Sequence, residues 1–186
     1  GLRVLDLGSG TGLLSLLLLQ RQRELSVTGL ELLPEAVALA ERTAAENGLT
    51  DRLFFRQGDL RDRAALPAEP FDLAVCNPPY YPVSSGALTG ETARRTARAE
   101  VDCTLADVCR AARRALRWGG RFCLVHKPHR LTDLLCALRE AGLEPKRLRM
   151  VCATAEAAPS LVLLEGNRGG KPGLSVEPPL VLYTPE

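Results

Sequence analysis

Val4-Leu5-Asp6-Leu7-Gly8-Ser9-Gly10-Thr11-Gly12 reads as a short apolar strand, a glycine turn and the first residue before a helix. Glycines at such a turn let the backbone take positive φ without steric cost and pass close to a ligand. A dinucleotide fingerprint would need G-x-G-x-x-G, with its third glycine at position 13. That position is Leu13, and the spacing here is G-x-G-x-G. No lysine follows the turn either, which excludes a P-loop.

Outward from this stretch, strand-like and helix-like segments alternate. Leu13 to Arg21 reads as a helix and Ser26 to Leu30 as a strand. A helix then runs from Pro34 to the stop at Asn47-Gly48, followed by strands at Leu53 to Arg56 and Phe71 to Cys76. After a stretch without hydrophobic periodicity, from Pro78 to Glu100, come a helix from Thr104 to Leu116, ended by Gly119-Gly120, and a strand from Arg121 to His126. A helix from Leu131 to Ala141 and strands near Arg147 to Cys152 and Leu161 to Leu164 complete the pattern. The tail from Gly166 to Glu186 is rich in Gly and Pro, with an apolar run at Leu180 to Tyr183. This alternation predicts an α/β fold: one mostly parallel sheet of seven strands, with helices on both faces, in a single domain over residues 1–186. The connection from Pro78 to Glu100 is long for a compact domain, and such loops are usually functional. The chain opens on Gly1 directly before a core strand, so a leading segment is expected to be missing.

Composition agrees with one globular domain. The chain has 186 residues, 46% of them hydrophobic and 25% charged. With 24 Lys+Arg against 22 Asp+Glu, the net charge of +2 names no partner by itself. No apolar run approaches the roughly 20 residues that cross a bilayer, so no membrane partner is expected and a cytoplasmic location is. The six cysteines (Cys76, Cys103, Cys109, Cys123, Cys136 and Cys152) form no C-x-x-C pair, and His126 and His129 are the two histidines. Zinc sites need closely spaced ligand pairs, so no metal is expected. Most of the cysteines lie in apolar segments and read as small buried hydrophobes.

Asp6 sharpens the reading of the glycine turn. A carboxylate there would repel a pyrophosphate but suits an ammonium group, such as the one S-adenosylmethionine carries beside its sulfonium. Glu31 closes the second strand, where an acid can accept both ribose hydroxyls of an adenosine. After the third strand, Asp59 can accept from an adenine amino group and Leu60 offers a backbone N–H to a ring nitrogen. Each acid alone reads first as a solvated strand-end residue. Together, at the carboxyl ends of successive strands, they point to S-adenosylmethionine, with Ser9, Leu32 and Asn77 beside Gly8, Gly10 and Gly12 in the cofactor set.

The fourth strand ends in Asn77-Pro78-Pro79-Tyr80, with Tyr81 next. Two prolines stiffen this turn and remove two N–H donors, leaving carbonyls exposed. Asn77 adds a side-chain oxygen, so the turn can accept both protons of a planar amine, and Tyr80 offers a face on which a base can stack. In-line alignment of the amine with an electrophilic methyl supplies the remaining catalysis, without a strong general base.

Asp6-x-Gly8-x-Gly10-x-Gly12, Glu31, Asp59 and Asn77-Pro78-Pro79-Tyr80 together resemble the class I methyltransferases that modify amino nitrogens. That resemblance implies catalytic roles for Asn77, Pro78, Pro79 and Tyr80. It leaves adenine-N6, guanine-N2 and protein glutamine-N5 as acceptors. Later residues narrow the choice: Arg94-Arg95-x-x-Arg98, Leu124-Val125-His126-Lys127-Pro128 and Gly169-Gly170-Lys171-Pro172. Their succession resembles the bacterial tRNA (adenine-N6) methyltransferases acting on valine tRNA next to the anticodon. The resemblance implies tRNA as substrate, with Tyr80, Tyr81, Arg94, Arg95, Arg98 and Lys127 as its contacts. A protein glutamine-N5 methyltransferase, an rRNA guanine-N2 methyltransferase and a non-catalytic RNA- or cofactor-binding module are the alternatives.

Charge segregation permits an RNA partner. From Glu91 to Arg130 ten basic residues face four acids, about +6, which leaves about −4 for the rest of the chain. Arg110, Arg113, Arg114 and Arg117 read as well as a solvated helix face. His126 reads as a structural or RNA-contacting strand-end residue and Trp118 as a core or cap residue.

Overall fold

A parallel central strand needs apolar side chains on both faces. In β1 (Arg3–Leu7), Val4, Leu5 and Leu7 supply them, all with no exposed surface. The computed structural model, which describes residues 1–78 and 103–183, sets β1 inside a sheet with β2 (Ser26–Glu31), β3 (Leu53–Gln57), β4 (Phe71–Cys76), β5 (Leu116–His126), β6 (Leu143–Cys152), β7 (Leu161–Arg168) and β8 (Ser175–Val181). The order across the sheet is β3-β2-β1-β4-β5-β7-β6-β8. Neighbours from β3 through β5 run parallel, and β7 lies antiparallel to both β5 and β6.

Side chains alternate across a strand, so adjacent residues of β1 serve opposite layers. Leu5 and Leu7 pack in a cluster with α3 (Leu105–Ala115) and α4 (Leu131–Glu140). Val4 packs in a second cluster with Leu19 of α1 (Leu13–Arg21) and Ala44 of α2 (Pro34–Glu46). Helices thus cover both faces, as the alternating pattern predicts. Pro34 opens α2 at its first turn, where a missing N–H costs nothing. Thr104 caps α3: its hydroxyl accepts from Asp107 N–H, while Asp107 Oδ2 accepts from Thr104 N–H at 2.9 Å.

Three expectations need correction. The sheet has eight described strands rather than seven, because Ser175–Val181 of the Gly/Pro-rich tail pairs parallel with β6. Its Pro178 and Pro179 cannot donate to a ladder, which disguised the strand and confines it to the sheet edge. Next, Gly119-Gly120 does not end α3, since the chain passes from Ala115 straight into β5 at Leu116. Between the pairs Phe71↔Leu116 and Leu73↔Arg121, β4 advances by fewer residues than β5, so the segment 117–120 bulges from the ladder. Gly119 takes φ +75° within it. Trp118 rides on that bulge and is 70% exposed, neither core nor cap.

Candidate active site

The strand order locates the site. From β1 the chain steps outward through β2 and β3, then returns to place β4 on β1's other side. Loops leaving the carboxyl ends of β1 and β4 therefore diverge, and such a switch point opens a ligand crevice. Leu7 pairs with Cys76 in the register, so the next residues, Gly8 and Asn77, sit side by side at its mouth.

Backbone bonds shape the glycine turn. Gly8 and Ser9 both donate to Leu30 O, at 2.9 and 3.2 Å, and Gly12 N–H donates to Ser9 O at 2.9 Å. Gly12 has φ +83°, and a Cβ there would lie 2.6 Å from the Phe55 ring, so no other residue fits without displacement. Glu31 anchors the turn from the next strand. Its Oε2 accepts Gly10 N–H at 2.8 Å and its Oε1 accepts Leu33 N–H at 3.0 Å. A carboxylate has about four acceptor positions, so each oxygen of this buried group keeps capacity for a hydroxyl.

Asp6 is 1% exposed, and its Oδ2 accepts from Ser15 Oγ of α1 at 2.7 Å. Burial pushes its carboxyl up to about 6, against the lowering effect of Ser15, and the charge of Glu31 adds to the rise. Ser9 Oγ is buried without a hydrogen-bond partner among the described residues. A Cβ on Gly29 would lie 2.6 Å from that hydroxyl, so the bare glycine gives it room. Two buried carboxylates and an orphan hydroxyl around a glycine turn fit a ligand that brings a cation and its own donors, as S-adenosylmethionine does.

Asp59 follows β3, which is tied in place by Gly58 N–H donating to Glu31 O at 2.8 Å. Arg61 forks onto it, with Nη2 to Oδ2 at 2.6 Å and its backbone N–H to Oδ1 at 2.9 Å. That guanidinium holds the Asp59 carboxyl below the usual carboxylate range. Asp59 is thus already engaged, so an adenine amino group would share it with Arg61 or displace it. Leu32 and Leu60 are half-buried nearby in sequence, after β2 and β3.

At the other wall, Asn77 is exposed and Pro78 half-buried. Pro79, Tyr80, Tyr81, Arg94, Arg95 and Arg98 lie outside the described residues. Lys127 leaves the carboxyl end of β5, and its backbone N–H donates to Nδ1 of the buried His126 at 2.8 Å. Burial lowers the His126 pKa. The structure thus gathers Asp6, the glycine turn, Glu31 and Asn77 at one end of the sheet. Sequence reasoning missed Ser15 and Arg61: neither lies in a motif, and each matters through a partner fixed by the fold. Of the α3 arginines, Arg110 pairs with Asp107, and Arg114 donates to Arg61 O at 3.3 Å. Beyond the helix, Arg117 pairs with Asp72 at 2.7 Å. Three of the four are therefore tied to the protein itself.

A family model described as a methyltransferase domain matches residues 1–161. The tRNA1(Val) (adenine(37)-N6)-methyltransferase of Porphyromonas gingivalis is 34% identical over 165 residues, covering 87% of this chain and 64% of that protein. Its namesake from Parabacteroides distasonis is 30% identical, covering 88% and 68%. A release factor glutamine methyltransferase of Rhodospirillum rubrum is 44% identical over 95 residues, covering 50% and 28%. The chain thus spans a little under two thirds of the Porphyromonas protein. Among solved structures, one described as a predicted O-methyltransferase from Agrobacterium tumefaciens superposes with a TM-score of 0.77 at 21% identity, covering 98% and 81%. The geranyl diphosphate C-methyltransferase of Streptomyces coelicolor, in complex with S-adenosyl-L-homocysteine, gives 0.63 at 14%, covering 90% and 74%. These two share the fold.

Proposed function

The chain belongs to the methyltransferase-domain family, alongside the tRNA1(Val) (adenine(37)-N6)-methyltransferases, and on that premise we propose that it methylates the N6 amine of an adenine in tRNA from S-adenosylmethionine. The observation that carries this is the adjacency of Gly8 and Asn77 across the β1–β4 pair. It sets a glycine turn ringed by buried carboxylates against an amine-accepting turn.

Bound at the glycine turn, S-adenosylmethionine supplies an electrophilic methyl on a sulfonium. Asp6 would meet its ammonium group and Glu31 its ribose hydroxyls, Asp59 and Leu60 would serve the adenine, and Ser9 and Leu32 would line the turn. Asn77 Oδ1 and the Pro78 carbonyl accept the two N–H protons of the target amine. Drawing density from those bonds turns the nitrogen lone pair out of conjugation and aims it across the crevice. Pro79 stiffens the turn, and Tyr80 stacks on an adenine swung out of its strand. Tyr81, Arg94, Arg95, Arg98 and Lys127 meet the RNA around it. No general base is assigned, because the nitrogen sheds its proton to water after it has gained the methyl.

Full-length protein, labelled S-adenosylmethionine and tRNA lacking the modification test this directly. Nuclease digestion should yield labelled N6-methyladenosine, and Asn77→Ala should cut kcat at least 100-fold. Labelled N5-methylglutamine in release factor, with unlabelled tRNA, would overturn the assignment in favour of the glutamine reading.

A further inference from the structure

At the opposite end of the sheet from Gly8 and Asn77 lies a second concave site. Its position follows from the register: Leu116 pairs with Phe71 at the start of β4, whereas Leu124 pairs with Cys76 at its end. The six residues of β4 separate the two ends by roughly 17–20 Å. The pocket, about 290 Å³, includes Arg113, Trp118, Arg139, Glu144 and Gly169 in its lining.

The indole at its rim is costly and held in place. A Cβ on Gly169 would lie 2.3–2.6 Å from three atoms of the Trp118 six-membered ring, and Gly169 has φ +73°. One face of the ring therefore rests on bare backbone, and the side chain stays 70% exposed. A large aromatic pinned in the open, rather than folded into the adjacent core, is a preformed stacking platform. Its surroundings are cationic. Arg139 pairs with Glu144 at 3.4 Å, the one acid among the described residues that line the pocket. Arg113 makes no ion pair among the described residues, and its charge acts on Arg168. Arg168 Nη1 donates to Leu116 O, while its Nε is buried without a partner among the described residues. Lys146 lies in the adjoining β6, its Nζ donating to Lys171 O at 3.1 Å.

We infer that this end of the sheet is a second RNA contact, where an unpaired base stacks on Trp118 and its phosphate is held by Arg113 and Arg139. An aromatic face serves any base, and paired guanidinium groups suit a phosphate oxygen pair. An ordinary apolar partner would not need the excess of arginine over glutamate. The inference rests on the reading that RNA is the substrate, and it assigns that substrate a contact remote from the reacting amine.

Trp118 is the sole tryptophan of the chain, so its emission reports the site without labelling. Titrating the full chain with single-stranded oligoadenylate of five nucleotides should give saturable quenching, with AMP binding at least tenfold more weakly. Anisotropy of the labelled oligonucleotide should show affinity falling about tenfold in Trp118→Ala and about threefold in Arg139→Ala, with Trp118→Phe restoring most of it. With tRNA, Trp118→Ala should raise KM and leave kcat within about twofold. Circular dichroism checks that the variants fold, as an exposed side chain predicts. Absence of saturable quenching, AMP binding as tightly as the oligonucleotide, or an unchanged KM would each overturn the inference. Quenching by RNA without tRNA methylation would remove the substrate reading and leave this contact standing. Methylated tRNA with a silent Trp118 would do the reverse.

Discussion

Asp6 Oδ2 accepts a 2.7 Å hydrogen bond from Ser15 Oγ, a buried pair that ties the end of β1 to the first turn of α1. Burial outweighs that bond and raises the Asp6 carboxyl from an ordinary 3.8 to about 6. The folded chain therefore holds this proton more tightly than the unfolded chain does. Stability contributed by protonated Asp6 is present below about pH 4 and is lost as pH rises to about 6, a difference on the order of 3 kcal/mol. Asp6→Asn should remove this slope. Urea unfolding at pH 4.5 and 7.5 should show the variant gaining on the parent at the higher pH.

Cofactor binding should run the other way. An ammonium ligand favours ionised Asp6, so affinity for S-adenosylhomocysteine should rise about tenfold between pH 5 and 7.5. Calorimetric titrations across that range check it, and a flat profile in the parent would count against Asp6 as the ammonium partner. Ser15→Ala removes the bond that lowers the Asp6 pKa, so the midpoint of that profile should move upward.

Glu31→Gln tests the anchor of the glycine turn. The carboxylate accepts from both Gly10 and Leu33, whereas an amide can accept from only one of them at its single oxygen. The buried N–H left over should cost about 1–3 kcal/mol, read as a lower urea midpoint, and cofactor affinity should fall with it.

Gly12→Ala introduces a Cβ 2.6 Å from the Phe55 ring at a backbone angle of +83°. Strain of about 1–3 kcal/mol is expected in denaturant titration, with loss of S-adenosylhomocysteine binding. Phe55→Leu in the same chain removes the ring clash but not the backbone strain, so partial recovery of stability separates the two causes.

Thiol titration should divide the cysteines. Cys136 is exposed, while Cys76, Cys109 and Cys152 are buried. Burial pushes the thiols of Cys109 and Cys123 up to about 12 and that of Cys103 to about 11. A disulfide reagent at pH 7.5 should modify one thiol rapidly in the folded protein, and Cys136→Ser should abolish that phase.

Residues 1–78 were largely legible from sequence, because parallel strands are buried on both faces and their apolar runs end where glycine or an acid begins. Asp6, Glu31 and Asn77 could be placed together for that reason: each sits at a strand's carboxyl end. Legibility fell where a signal had two meanings. Gly119-Gly120 reads as a helix stop, but in the fold it lies in a bulge that lets β5 start early and throws Trp118 outward. Pro178-Pro179 reads as a loop, but an edge strand tolerates it. Arg61 and Ser15 carry no periodic signal, since their importance depends on which carboxylate the fold sets beside them. Asp59 looked like an open acceptor for the same reason.

β8 also protects the protein from itself. Without Ser175–Val181, β6 would present a row of unsatisfied N–H and C=O groups to water, a template on which another chain could assemble. With it, the rim of the sheet carries Pro178 and Pro179, which offer no N–H to an incoming strand. The same residues that hid the strand from sequence reasoning act as gatekeepers against edge-to-edge aggregation.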